Sequence, residues 1–140
     1  MTIIKICTAF ALLFPIVAWA DQIETKAPSE LDWKTTPEGV AFAALHGDRF
    51  QEPYRAMVKL PAGTISPPHT KTANMYGVVL KGVMTHKRAN PETMVVNKVS
   101  AGGYYFIAKN TPHISACVSK EPCLAYLYQD GKFDFLPVDE

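Results

Sequence analysis

The chain is 140 residues long, with 14 Lys and Arg against 13 Asp and Glu, a formal net charge of +1 at pH 7 and 48% hydrophobic residues. That length suits one ordinary domain. A charge balance so close to neutral gives no basis for a nucleic-acid partner or for attraction to an anionic membrane surface.

Residues 1–20 read as a signal peptide. Lys5 supplies a positive start, Ile6 to Val17 is almost wholly apolar, and Ala18, Trp19 and Ala20 fit the small-residue cleavage pattern. The apolar run falls short of the ~20 residues that a membrane span needs. The expected mature chain begins at Asp21, is periplasmic or secreted, and has no membrane contact after cleavage. Its net charge is zero, because the leader holds one lysine and no acid.

Residues 21–38 read as an extended N-terminal arm, with an edge strand expected around Leu31–Trp33 and Trp33 as a packing anchor. From residue 39 to 140 the pattern is short apolar runs broken by Gly, Pro, Asn and Asp. Expected strands are Val40–Leu45, Tyr54–Leu60, Met75–Leu80, Val83–Lys87, Thr93–Val99, Tyr104–Ala108, His113–Val118, Leu124–Tyr128 and Phe133–Leu136. Tyr54, Ala56, Val58 and Leu60 alternate with Arg55, Met57 and Lys59, the period of a half-buried strand. No window of helical length carries an apolar stripe at helical spacing. Many short strands at this spacing predict an all-β sandwich or jelly roll. His46, beside Gly47 and Asp48, reads as a surface or loop residue.

Cys117 and Cys123 are the only cysteines of the mature chain. Export to an oxidising compartment predicts a disulfide between them. The five residues they bracket read as a hairpin loop between two strands. The alternative, a redox or metal-binding pair, lacks the two-residue spacing of a thioredoxin-like motif.

Two further stretches carry the functional signal. Gly63, His69, Lys71, Met75 and Gly82 stand in the register G-x5-H-x-H-x3-E-x6-G, with Lys71 at the second His and Met75 at the Glu. Gly102 and His113 match the spacing of G-x5-P-x-G-x2-H-x3-N, with Ala108, Asn110 and Cys117 at its Pro, Gly and Asn. These paired motifs resemble those of the cupin superfamily. The likeness runs from about Leu31 to Leu136 and is similar to a branch of secreted single-domain cupins and to the cupin domain of the ChrR anti-sigma factors. It implies a cupin-type jelly-roll barrel (a double-stranded β-helix), a homodimer, and a divalent metal held by histidines. It implies no particular reaction, since one fold hosts many chemistries.

In a strand, residues i and i+2 face the same way, so His69 and Lys71 point together, and His86 shares a face with Met84. In the barrel that the resemblance implies, the strand bearing His113 runs beside them. His69, His113 and His86 are therefore the candidate ligands of a divalent metal, whether Zn, Fe, Mn, Ni or Cu. Lys71 opposes this, because an ammonium repels a metal ion, and Met75 is a soft ligand that adds no charge. The other reading of His69 and His113 is as core histidines bonded to one another or to tyrosines. Lys71, set between two histidines in an apolar barrel, reads as the receptor for a carboxylate or other small anion. Met75, Tyr76 and Tyr126 are the other candidate ligand-binding residues. Alternatives for Lys71 are a base or Schiff-base amine after burial lowers its pKa, and a solvated lysine at the barrel mouth. Tyr104, Tyr105 and Tyr128 either line a pocket or pack between sheets.

Two functions follow. One is an exported protein that binds a small, anionic molecule in the barrel, with or without metal. The other is a metal-dependent enzyme, an oxygenase or lyase acting on a small organic acid.

Overall fold

Runs that alternate apolar and polar residues pair into two antiparallel sheets. The computed structural model describes residues 23–90, 92 and 96–138. The expected leader over 1–20 lies outside these residues, as do residues 93–95 of the expected strand Thr93–Val99. A 3-10 turn, Pro28–Glu30, precedes eleven strands: β1 Trp33–Thr35, β2 Ala41–His46, β3 Tyr54–Leu60, β4 His69–Thr70, β5 Met75–Lys81, β6 Val83–Arg88, β7 Asn97–Ser100, β8 Tyr104–Ile107, β9 His113–Cys117, β10 Cys123–Gln129 and β11 Leu136–Pro137. The six-stranded sheet has the order β1-β2-β3-β10-β5-β8, and the five-stranded sheet the order β11-β4-β9-β6-β7. The expected edge strand of the arm forms two residues later than its predicted position, at β1. The segment from Phe133 to Phe135 is not a strand, and only β11 pairs there.

Period two decides which side chains meet between the sheets. In β3, Tyr54, Ala56, Val58 and Leu60 are buried and Arg55 and Lys59 exposed. In β10 the buried set is Cys123, Ala125, Leu127 and Gln129. All of these buried residues but the polar Gln129 form one core with Met75, Val79, Met84 and Ile107. Trp33 packs at the edge, with the Lys59 ammonium 4.5 Å from its ring centroid.

The chain changes sheets at single-residue economy. Gly82 alone separates β5 in one sheet from β6 in the other, at φ 82°. A side chain there would be strained, and a Cβ would lie 2.9 Å from the Cys123 sulfur. Asn110 takes the left-handed conformation at φ 59°, which explains how an Asn serves at a motif position that otherwise holds Gly.

Cys117 and Cys123 form a disulfide with Cα atoms 5.8 Å apart. The two strands it joins do not form the expected hairpin. β9 pairs with β4 and β6, whereas β10 pairs with β3 and β5. The bridge therefore staples one sheet to the other at the end where they meet. Loop-closure entropy for so short a loop predicts that its removal costs about 2 kcal/mol. Denaturant unfolding of the oxidised and reduced protein measures this, and thiol titration of the unreduced, denatured mature chain from Asp21, which lacks Cys7 of the expected leader, should find no free thiol.

Candidate functional site

Register places the histidines. His69 on β4 lies directly opposite His113 on β9, and His86 on β6 lies opposite Ser115 on β9. His113 and Ser115 are two residues apart and share a face, so all three imidazoles belong to the inner face of the five-stranded sheet. The His69 and His113 ring centroids are 4.2 Å apart.

Hydrogen bonds fix the tautomers of His69 and His113. Nδ1 of His69 donates to the Pro67 carbonyl at 2.9 Å, and Nδ1 of His113 donates to the Thr111 carbonyl at 2.8 Å. A carbonyl only accepts, so each neutral ring keeps its lone pair on Nε2. Nδ1 of His86 lies 2.9 Å from the Ser115 hydroxyl. Nε2 of His86 and of His113 is buried without a hydrogen-bond partner. Burial pushes His69 and His86 down to about 4, against the Pro67 hydrogen bond at His69, and the repulsion that a protonated His113 would exert adds to it in both. His113 is lowered too, by burial first and then by Lys71. The cluster is thus neutral at pH 7.

Lys71 is the charged member, and it is not a solvated lysine at the mouth: only 7% of it is exposed. Its Nζ donates to the main-chain carbonyl of Asp134 at 2.6 Å and sits 4.2 Å from the Phe133 ring centroid. The Asp134 carboxylate is engaged elsewhere, by the backbone N–H and hydroxyl of Thr72. Burial is the main force that lowers the ammonium to about 8, with Asp134 opposing and Arg49 assisting. The Arg49 guanidinium lies 5.2 Å from the same Phe133 ring. Among the described residues, neither cation has an ion-pair partner.

Between the sheets runs a largely apolar cavity of about 540 Å³, whose polar lining includes His69, Lys71, His86, Tyr105 and Ser115. Tyr105 owes its place to a glycine. Gly77 faces Tyr105 across β5 and β8, and a Cβ at Gly77 would fall 2.1 Å from the ring. The ring also lies 4.1 Å from that of His86. Phe135 stacks on His69 at 4.0 Å and closes one side.

The structure brings His69, Lys71, Met75 and His86 to this cavity, with His113 packed against His69. It does not bring Tyr76 or Tyr126. Met75 faces inward on β5, so its neighbour Tyr76 faces outward, and Tyr126 lies between the buried Ala125 and Leu127. Both tyrosines line a groove on the outer face of the six-stranded sheet. Sequence reasoning missed Gly77, Phe133, Asp134 and Phe135. The spacing of the two phenylalanines was the one available signal for the last segment.

Imidazoles anchored at Nδ1 with free Nε2 have the tautomer that metal ligands need. The donor set nevertheless does not fit a resident ion. Among the described residues no three His, Cys, Asp or Glu side chains are disposed to share a metal. The Lys71 ammonium also lines the same cavity, at the motif position of a ligand.

A family model described as the ChrR cupin-like domain matches residues 21–132. The chain belongs to this cupin family. The two-sheet architecture of this cupin also matches solved cupin-type structures, at identities that speak for the fold alone. The polyketide cyclase RemF from Streptomyces resistomycificus is 15% identical with a TM-score of 0.66, over 85% of this chain and 87% of that one. KdgF from Halomonas sp. is 16% identical with a TM-score of 0.59, over 74% and 92%. The Rhodobacter sphaeroides SigE complex with the anti-sigma ChrR gives 20% identity and a TM-score of 0.59, over 75% of this chain and 52% of that chain. Comparison with curated proteins yields no match.

Proposed function

We propose that this cupin is an exported receptor for a small carboxylate, held in the barrel by the Lys71 ammonium. The observation that carries the reading is a buried cation on the wall of an apolar cavity that, among the described residues, has a main-chain carbonyl and aromatic rings beside it but no carboxylate partner. A carboxylate offers that ammonium a stronger, charge-assisted partner, and desolvation strengthens the attraction. His69, neutral with its lone pair on Nε2, repels no anion strongly and accepts the hydrogen of a ligand hydroxyl, and the unpartnered Nε2 of neutral His86 accepts or donates according to its bond with Ser115. The apolar wall selects a ligand with a hydrocarbon or aromatic body. The competing reading, a metal-dependent enzyme, has less support, because among the described residues no three His, Cys, Asp or Glu side chains are disposed to share a metal and Lys71 stands at a ligand position. A homodimer made by pairing of an open strand edge belongs to the same proposal, and light scattering reports its mass.

The test is calorimetry of the mature protein at pH 7 with acetate, succinate, phenylacetate and benzoate, before and after treatment with chelator. Saturable binding of one carboxylate per chain, unaffected by the chelator, is expected. Binding that appears only with added divalent metal would count against the reading.

A further inference from the structure

The outer face of the six-stranded sheet carries a second constellation, built by register. Arg55, Tyr128, Tyr76 and Phe106 lie opposite one another across β3, β10, β5 and β8, and in the next row lie Met57, Tyr126, Val78 and Tyr104. Val78 is short, so the second row dips between two tyrosines. The result is a groove of about 370 Å³ walled by Tyr76, Tyr104, Tyr126 and Tyr128, with Arg55 at one rim.

The chemistry of this groove is uniform. Tyr76 and Tyr128 stack at 5.6 Å, and the Arg55 guanidinium lies 4.9 Å from the Tyr128 ring. Among the described residues, none of the four phenol hydroxyls has a hydrogen-bond partner, and Arg55 has no carboxylate. β3, β5, β8 and β10 contain no Asp or Glu at all. Four free hydroxyls, four ring faces and one unpaired guanidinium stand together on a face with no compensating negative charge.

We propose that this groove binds an acidic saccharide. A pyranose ring lays its C–H face on the electron-rich face of a tyrosine. Its hydroxyls exchange hydrogen bonds with the phenols, and its carboxylate takes the planar guanidinium fork of Arg55. A nucleic-acid strand also stacks, but its phosphates call for a track of cations, and among the described residues Arg55 alone supplies a cation to the groove. A second copy of this chain fits less well, because a two-fold contact through the groove sets hollow against hollow and leaves volume unfilled. The assignment stands apart from the barrel, since the groove and the cavity lie on opposite faces of the sheet.

Cellotetraose and its carboxylate-bearing cellouronate analogue share length and linkage and differ in charge, which makes them the matched probes for calorimetry on the mature protein. The cellouronate should bind about tenfold or more tightly than cellotetraose, Arg55→Gln should erase that difference, and Tyr126→Ala should lower affinity for both. Unchanged thermal melting of Arg55→Gln keeps the comparison interpretable, because that side chain is exposed. Absence of binding by both sugars, or equal affinity for the two, would overturn the proposal. It would also fall if light scattering showed Tyr126→Ala turning a dimer into a monomer, since the face would then belong to a second copy.

Discussion

Replacing Lys71 by Met should lower carboxylate affinity at pH 7 by on the order of a hundredfold or more, because a buried charge-assisted contact contributes several kcal/mol. The folded state should tolerate the change. Methionine has a similar length, and Phe133 and Phe135 already line the space around the side chain. Relief of the buried charge offsets the lost hydrogen bond to the Asp134 carbonyl, so stability should hold or rise by about 1 kcal/mol. Lys71→His should bind the same carboxylate weakly at pH 7, where an unperturbed imidazole is mostly uncharged. Calorimetry reads affinity and denaturant unfolding reads stability. Carboxylate affinity unchanged in Lys71→Met would remove Lys71 from the site.

Gly77→Ala should be among the most damaging single-methyl changes in the chain, costing about 3 kcal/mol of stability. The added Cβ falls 2.1 Å from the Tyr105 Cζ and 2.4 Å from Cε1. The ring cannot simply slide away, because it is flanked by His86 at 4.1 Å. Carboxylate affinity should fall with it, since Tyr105 and His86 both line the cavity. Tyr105→Ala in the same chain should recover part of the loss, so a double-mutant cycle should show strong coupling between the two positions. Additive effects would mean that the glycine serves the backbone and not the ring.

The strands were legible because their signal is local. Alternation in Tyr54–Leu60 and turn residues at Gly82, Asn110 and Gly131 mark elements without reference to the rest of the chain. Sheet membership was not legible, because it depends on partners distant in sequence. Thus Cys117 and Cys123 read as a hairpin pair, although their strands belong to different sheets. β4 is missing from the strands expected from periodicity, because His69 and Thr70 are too few to show one, and Lys71, read as their strand neighbour, lies just past its end. Parity was available and overlooked for the tyrosines: Met75 and Tyr76 are adjacent in one strand and cannot both face the cavity. The cupin resemblance implied that the strand of His113 runs beside His69 and Lys71, and His69 does pair with His113. The sequence left Lys71 open between a buried and a solvated position, because its burial is imposed by Phe133, Asp134 and Phe135 arriving from the far end of the chain.

Proton uptake on ligand binding tests the central claim most directly. Burial holds Lys71 near 8 in the empty protein, and a carboxylate beside it favours the charged amine. At pH 8.5 most chains must therefore take up a proton as the ligand enters, and the ligand, already ionised, takes up none. The sign follows from linkage: affinity is flat between about pH 6 and 7, where the ligand is ionised and Lys71 charged, falls as pH rises past 8, and approaches a tenfold loss per pH unit beyond it. Calorimetry of the bound carboxylate in two buffers of different ionisation enthalpy gives the stoichiometry. The account predicts an uptake of more than about half a proton per chain at pH 8.5, absent in Lys71→Met. Binding with no proton uptake in the wild-type protein at that pH would contradict it.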